Sequence, residues 1–155
     1  MRKIKKILAP TDFSESAREA VSYAVELAST FGAQLTLFHA YQTPAYLLPE
    51  GSILAGSDLI VDIMNRASEA LEAAKKELEG KVPVDTLLVE GLPFVQIVTA
   101  AQEGGYDLIV MGTHGRTGLR HVLLGSVAER VVRRAECPVL TVRQRGAASA
   151  QAGAV

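Results

Sequence analysis

Alternation between short apolar runs and longer stretches of helical periodicity limits this chain to few architectures. Residues 3–9 end in Ile7-Leu8-Ala9 and read as a strand that Pro10-Thr11-Asp12 terminates. From Ala17 the apolar positions Ala20, Val21, Ala24, Leu27, Ala28 and Phe31 recur at helical spacing and define one face. Ser16 with Glu19 resembles a capping box, Ser14 is an alternative cap, and Gly32 suits the left-handed position past the helix end. Residues 34–40, Gln-Leu-Thr-Leu-Phe-His-Ala, form a second strand, 58–79 a second helix and 84–90 a third strand. Pro93 fits the first turn of a third helix, in which Phe94, Ile97, Val98 and Ala101 share a face. Tyr106 to Met111 is nearly continuously apolar, as a strand covered on both sides requires. A glycine-rich segment, a helix through Arg134 and a strand at 138–142 complete the order. This βαβαβαβαβ pattern predicts an α/β fold, a single doubly wound five-stranded sheet, mostly parallel, with helices on both faces.

Composition narrows the partners. Of 155 residues, 48% are hydrophobic and 21% charged, which excludes a wholly disordered chain. A formal charge of −1 gives no support to a general nucleic-acid or membrane-surface binder. No apolar run approaches the roughly 20 residues that span a bilayer. The start, Met1 to Ile7, lacks a signal peptide's apolar core, and Cys137, the lone cysteine, can form neither an internal disulfide nor a cysteine zinc cluster. The expectation is a soluble, cytoplasmic chain. Tyr41 to Ser57 contains Pro44, Pro49, Gly51 and Gly56 without a steady period and reads as a long loop, with a turn of helix around Tyr46-Leu47-Leu48. Gly146 to Val155 is almost all Gly, Ala, Ser and Gln, so one domain over 1–145 and a disordered tail over 146–155 are expected.

In open parallel sheets ligands bind beyond the carboxyl ends of the strands, where strand order reverses. Three segments stand at such ends: Pro10-Thr11-Asp12, Ala40-Tyr41, and the run from Gly112. Gly112-Thr113-His114-Gly115 follows the most apolar strand, and nine residues lead on to Gly125-Ser126 at the expected start of the last helix. Glycine admits close backbone approach and positive φ, and a helix start adds unpaired N–H groups and a positive dipole end. Gly125, Ser126 and Val127 thus suit a phosphate, Gly112 and Gly115 let a ribose or phosphate lie against the loop, and Asp12 can take ribose hydroxyls or help hold a divalent metal. Neither a G-x-x-x-x-G-K-[ST] loop nor a G-x-G-x-x-G fingerprint occurs.

The residues themselves carry more than the spacing. GTHGRTGLRHVLLGS resembles the signature of the universal stress protein family, G-x2-G-x9-G-[ST], with every fixed position filled, and PTDFS and CPVLTVR resemble the same family. The resemblance covers about residues 3–143 and implies a flavodoxin-like, adenine nucleotide alpha hydrolase-like sheet of order 3-2-1-4-5 that binds ATP, with Mg2+ or Mn2+ accompanying the nucleotide. Carried over by motif, Pro10, Thr11 and Asp12 line the adenosine end. Backbone groups of Ala40 pair with the adenine edge, Met111, Gly112, His114 and Gly115 hold ribose and phosphate, and Gly125, Ser126 and Val127 take the remaining phosphates. Ala40 and Ala128 depart slightly from the family pattern, which has valine at the first position in many members and a hydroxyl residue at the second in some. The resemblance also implies a homodimer paired through Val139–Val142.

Blander readings compete for the same residues. His39 reads as a partly buried packing residue, His121 as a surface residue, and the three histidines lack metal-type spacing. Asp12 and Ser126 can each be a helix or turn cap. No G-x-S-x-G elbow supports a serine nucleophile, and neither a strong general base nor a lysine stands near the phosphate loop, so any ATP hydrolysis is expected to be slow. A sensor for AMP, a cyclic nucleotide or another small ligand on the same fold is the alternative. An ATP-pyrophosphatase needs an S-G-G-x-D segment that PTDFS lacks. Arg116, Arg120, Arg130, Arg133, Arg134, Arg143 and Arg145 face only Glu129 and Glu136 between 116 and 145. Arg116 or Arg120 can reach a triphosphate, whereas Arg130, Arg133 and Arg134 read as a solvated helix face.

Overall fold

A computed structural model describes residues 3–44, 56–115 and 124–144. The expected turn at Tyr46-Leu47-Leu48, the side chains of Arg116, Arg120, His121 and Arg145, and the tail 146–155 lie outside the described residues. The elements run β1 (Lys6–Pro10), α1 (Glu15–Phe31), β2 (Gln34–Tyr41), α2 (Ser57–Lys76), β3 (Val84–Glu90), α3 (Pro93–Glu103), β4 (Leu108–Gly112), α4 (Ser126–Arg134) and β5 (Val139–Val142).

The five strands form one sheet in the order β3-β2-β1-β4-β5, and every neighbouring pair is parallel. Side chains alternate across a strand, so each strand feeds two cores. Ile7, Ala9, Leu35, Leu37, Leu108 and Val110 meet Ala20, Ala24 and Ala28 of α1 and Leu71 of α2. Leu8, Phe38, Ile109 and Met111 point the other way, onto Ile97 and Ala101 of α3 and Ala128 and Val131 of α4. The alanine face of α1 brings that helix close to the sheet. Phe31, which shares the helical spacing, stands at the last turn and is half exposed.

Long-range hydrogen bonds move the strand limits away from the apolar limits. β1 starts at Lys6 rather than residue 3, and the amides of Lys5 and Lys6 donate to the carboxylate of Asp107 at 2.8 and 3.0 Å. It runs through Pro10, because the ladder resumes beyond the proline where the Thr11 amide donates to the Phe38 carbonyl at 2.8 Å. β2 likewise includes Tyr41, which was expected to open the loop. Ser14, not Ser16, caps α1: its hydroxyl accepts from the Ala17 amide at 3.2 Å. Gly32 takes the left-handed conformation past the helix end with φ 62°.

The chain builds β1, β2 and β3 outward on one side and then crosses to β4 and β5 on the other. The reversal falls between β1 and β4. There the loops leaving the two strands diverge and open a crevice.

Candidate functional site

Two loops and the end of β2 build this crevice. In the turn from β1 to α1, the Thr11 hydroxyl accepts from the Phe13 amide and the Asp12 carboxylate accepts from the Ser14 amide, each at 3.0 Å. These local bonds hold Phe13 at φ 64°, a left-handed conformation that a bulky residue seldom adopts. The ring of His39, at the end of β2, lies 4.6 Å from that of Phe13, and its Nδ1 is 2.8 Å from the Thr11 carbonyl. A carbonyl only accepts, so Nδ1 carries the proton. His39 is therefore a partly buried packing residue, as the sequence suggested, and it also holds the turn from which Asp12 projects.

The second loop leaves β4. The Thr113 amide donates to the Val142 carbonyl at 3.0 Å, and the Gly125 amide donates to the Thr113 carbonyl at 2.6 Å. The loop's end is thus pinned to its beginning. The Thr113 hydroxyl also meets Nδ1 of His114 at 2.9 Å.

Close approach, not positive φ, explains glycine at all three motif positions. Among the described residues the glycines with positive φ are Gly32, Gly80, Gly91 and Gly105, and Gly112, Gly115 and Gly125 are not among them. A Cβ on Gly112 would lie 2.6 Å from the Ser16 hydroxyl, one on Gly115 2.8 Å from Oδ2 of Asp12, and one on Gly125 2.9 Å from the Thr113 carbonyl. Gly112 thus lets α1 approach β4, while Gly115 and Gly125 let the second loop approach the first and close on itself.

The result is a cavity of about 470 Å³ at the carboxyl ends of β1 and β4. The residues carried over by motif all line it: Pro10, Thr11 and Asp12 from the first turn, Ala40 from β2, Met111, Gly112, His114 and Gly115 from the end of β4 onward, and Gly125, Ser126 and Val127 at α4; Tyr41 does not, and Arg116 and Arg120 lie outside the described residues. His39, Gln42, Pro93 and Thr113 line it as well. Thr113 was inside the motif as a variable position. Pro93 and Gln42 carried no signal beyond lying at an element's end.

The start of α4 is the part of the cavity chemically suited to an anion. Gly125 is its N-cap and no side chain caps the helix, so the Ser126 hydroxyl does not serve as one. The first-turn amides of Ser126 and Val127 therefore face the cavity's end with the positive end of the dipole. Gly125 contributes space rather than an amide, because its N–H is bonded to Thr113. Asp12 is the carboxylate among the described lining residues, and among the described residues no group of three His, Cys, Asp or Glu stands ready to hold a metal ion. Asp12 acts as a turn cap and a cavity-lining group at once. Farther along α4, the guanidinium groups of Arg130 and Arg134 lie 4.9 and 5.2 Å from the ring of Phe94, so these two are stacked on α3 rather than merely solvated. Arg133 pairs with Glu129 on the exposed side at 3.0 Å.

A doubly wound parallel sheet with a cavity at its switch point defines the class of open-sheet α/β proteins. Within that class the chain belongs to the universal stress protein family, whose model matches residues 3–143. It is similar to universal stress protein MJ0531 of Methanocaldococcus jannaschii, 42% identical over 143 residues, which cover 90% of this chain and 82% of that protein. The solved structure of MJ0577, from the same organism, superposes with a TM-score of 0.79 at 33% identity, covering 94% of this chain and 99% of that one. A universal stress protein solved in complex with cAMP gives a TM-score of 0.69 at 27% identity, covering 91% and 98%. Among the described residues no helix is long and apolar enough to cross a membrane.

Proposed function

We propose that this chain binds ATP in the cavity at the sheet rim and acts in a cytoplasmic stress response or nucleotide-dependent signalling. The observation that carries this reading is the convergence on one cavity of the β1 turn, the end of β2 and the glycine-bounded loop. The adenine edge would pair with the Ala40 backbone, the ribose hydroxyls would meet Asp12, and the phosphates would lie at the first turn of α4. Each assignment matches a donor or acceptor to its complement. Ala40 in place of valine costs little where the backbone does the pairing.

Mg2+ or Mn2+ would be held mainly by phosphate oxygens and water. Asp12, whose Oδ1 accepts from the Ser14 amide and whose Oδ2 lies on the Gly115 side, would be the protein's carboxylate beside the ion. The described lining residues include no lysine and no second carboxylate, so hydrolysis would be slow without a partner that supplies a further group. A homodimer would form through β5, the edge strand of the sheet, whose Leu140 is exposed.

The relative in complex with cAMP favours a second reading, in which the same cavity senses a cyclic nucleotide or AMP. Calorimetric titration with ATP, ADP, AMP and cAMP, with and without magnesium, separates the two. Tightest binding of ATP, strengthened by magnesium, supports the first. A preference for AMP or cAMP supports the second, and no binding of any of the four overturns both.

A further inference from the structure

Thr11 is held by two consecutive residues of β2. Its amide donates to the Phe38 carbonyl at 2.8 Å, which continues the ladder between β1 and β2. Its carbonyl accepts from Nδ1 of His39 at 2.8 Å, so a side chain extends the pairing past the end of β1 at Pro10. The other bonds of this turn are local. The Thr11 hydroxyl accepts from Phe13, the Asp12 carboxylate from Ser14 and the Ser14 hydroxyl from Ala17. Local bonds fix the shape of the turn, whereas the bonds to β2 fix its place on the sheet.

Phe13 makes that place costly to hold. Its φ of 64° persists only where the surroundings over-determine it, and the His39 ring lies 4.6 Å from its own. Asp12 stands in the chain between Thr11 and Phe13, the two residues to which His39 is bonded or stacked. Ala40, the next residue of β2, lines the same cavity as Asp12 and His39. One hydrogen bond from position 39 therefore helps set how far the Asp12 turn lies from position 40.

We propose that His39 is a positioning residue for nucleoside recognition. It fixes the span between the Ala40 backbone, which pairs with the base, and the Asp12 carboxylate, which takes the ribose hydroxyls. The assignment rests on the nucleotide reading of the rim cavity. Base and ribose are joined by a single bond, so the protein groups that meet them must keep their separation to within about 0.5 Å. Leucine at position 39 fills similar space but offers the Thr11 carbonyl no donor. Asparagine carries a nitrogen donor at the same number of bonds from Cβ as Nδ1 and can restore the bond.

Calorimetric titration of the full chain with ATP and with AMP, without magnesium so that the ribose contact is read alone, tests the proposal. The wild type is compared with His39→Leu, His39→Asn, Asp12→Ala and the Asp12→Ala/His39→Leu double variant, with thermal melts confirming that each is folded. His39→Leu should weaken binding about five-fold or more, and His39→Asn should recover most of that loss. In the Asp12→Ala background His39→Leu should change affinity by about two-fold or less, because the group it positions is gone. Should the leucine variant unfold, His39→Gln, whose donor lies one bond farther from Cβ, misplaces the bond and gives the same comparison. Undiminished affinity in the variant used overturns the proposal. So does an equal loss with and without Asp12, which would make His39 a support for the cavity as a whole. A wild-type chain that binds neither ATP nor AMP overturns the nucleotide reading, and this assignment with it.

Discussion

The amide of Gly125 donates to the carbonyl of Thr113 across 2.6 Å, closing the loop that leaves β4 onto the start of α4. This bond sets the position of the helix start, and with it the amides of Ser126 and Val127. A Cβ at position 125 would meet the same carbonyl at 2.9 Å. Gly125→Ala should therefore force the loop apart, cost about 1–3 kcal/mol of stability, and weaken nucleotide binding by about ten-fold or more. Urea unfolding and calorimetry on one preparation check both. Unchanged nucleotide affinity in a destabilised variant would remove the helix start from the phosphate site.

Asp12 combines two roles that substitution can separate. Asn retains an oxygen for the Ser14 amide, so Asp12→Asn should fold with near wild-type stability while losing any magnesium enhancement of nucleotide binding. Asp12→Ala should lose both, with a stability cost of about 1 kcal/mol for the missing hydrogen bond. Thermal melts and titrations with and without magnesium distinguish the two variants.

The Ser16 hydroxyl is buried and has no hydrogen-bond partner among the described residues. Such a group pays a desolvation cost with no return, so Ser16→Ala should leave stability unchanged or raise it by about 1 kcal/mol. Because Gly112 packs against Ser16 through backbone as well as hydroxyl, Gly112→Ala should remain destabilising even in the Ser16→Ala background. Full rescue by the serine change would show that the hydroxyl is the only obstacle.

Leu140 is exposed on the edge strand β5. A lysine there blocks edge pairing while leaving the β4 partner bonds in place. Leu140→Lys should convert a dimer to a monomer in light scattering at matched concentrations, without loss of far-ultraviolet dichroism. A variant that remains dimeric would place the interface elsewhere.

Burial pushes the Cys137 thiol above its ordinary value, and the nearby Asp107 charge pushes it the same way. The thiolate is the reactive form, so less of it exists at neutral pH than in a free cysteine. Modification by a disulfide reagent at pH 7.5 should be slower than for glutathione and should accelerate on unfolding. Rapid modification of the folded chain would contradict this.

Periodicity and composition by themselves determined the element order, the parallel sheet and the two-faced cores. These depend on local spacing: Leu8 and Ala9 face opposite sides whatever lies far away, and Ala20, Ala24 and Ala28 share a helix face. The motif also made the candidate site residues legible, since GTHG directly follows an apolar strand and GS stands nine residues further on at a helix start. Element limits were less legible, because distant groups set them. Asp107 takes the amides before β1, and Phe38 carries the ladder past Pro10. Tertiary structure alone decided why the motif needs glycine. The neighbours that a Cβ would strike are Ser16, Asp12 and Thr113, and none is predictable from spacing within the motif. It alone showed that His39 holds the Asp12 turn and that Gly125 spends its amide on the loop. Each of these depends on which chain segments come within a few ångströms in space, a relation that sequence separation does not encode.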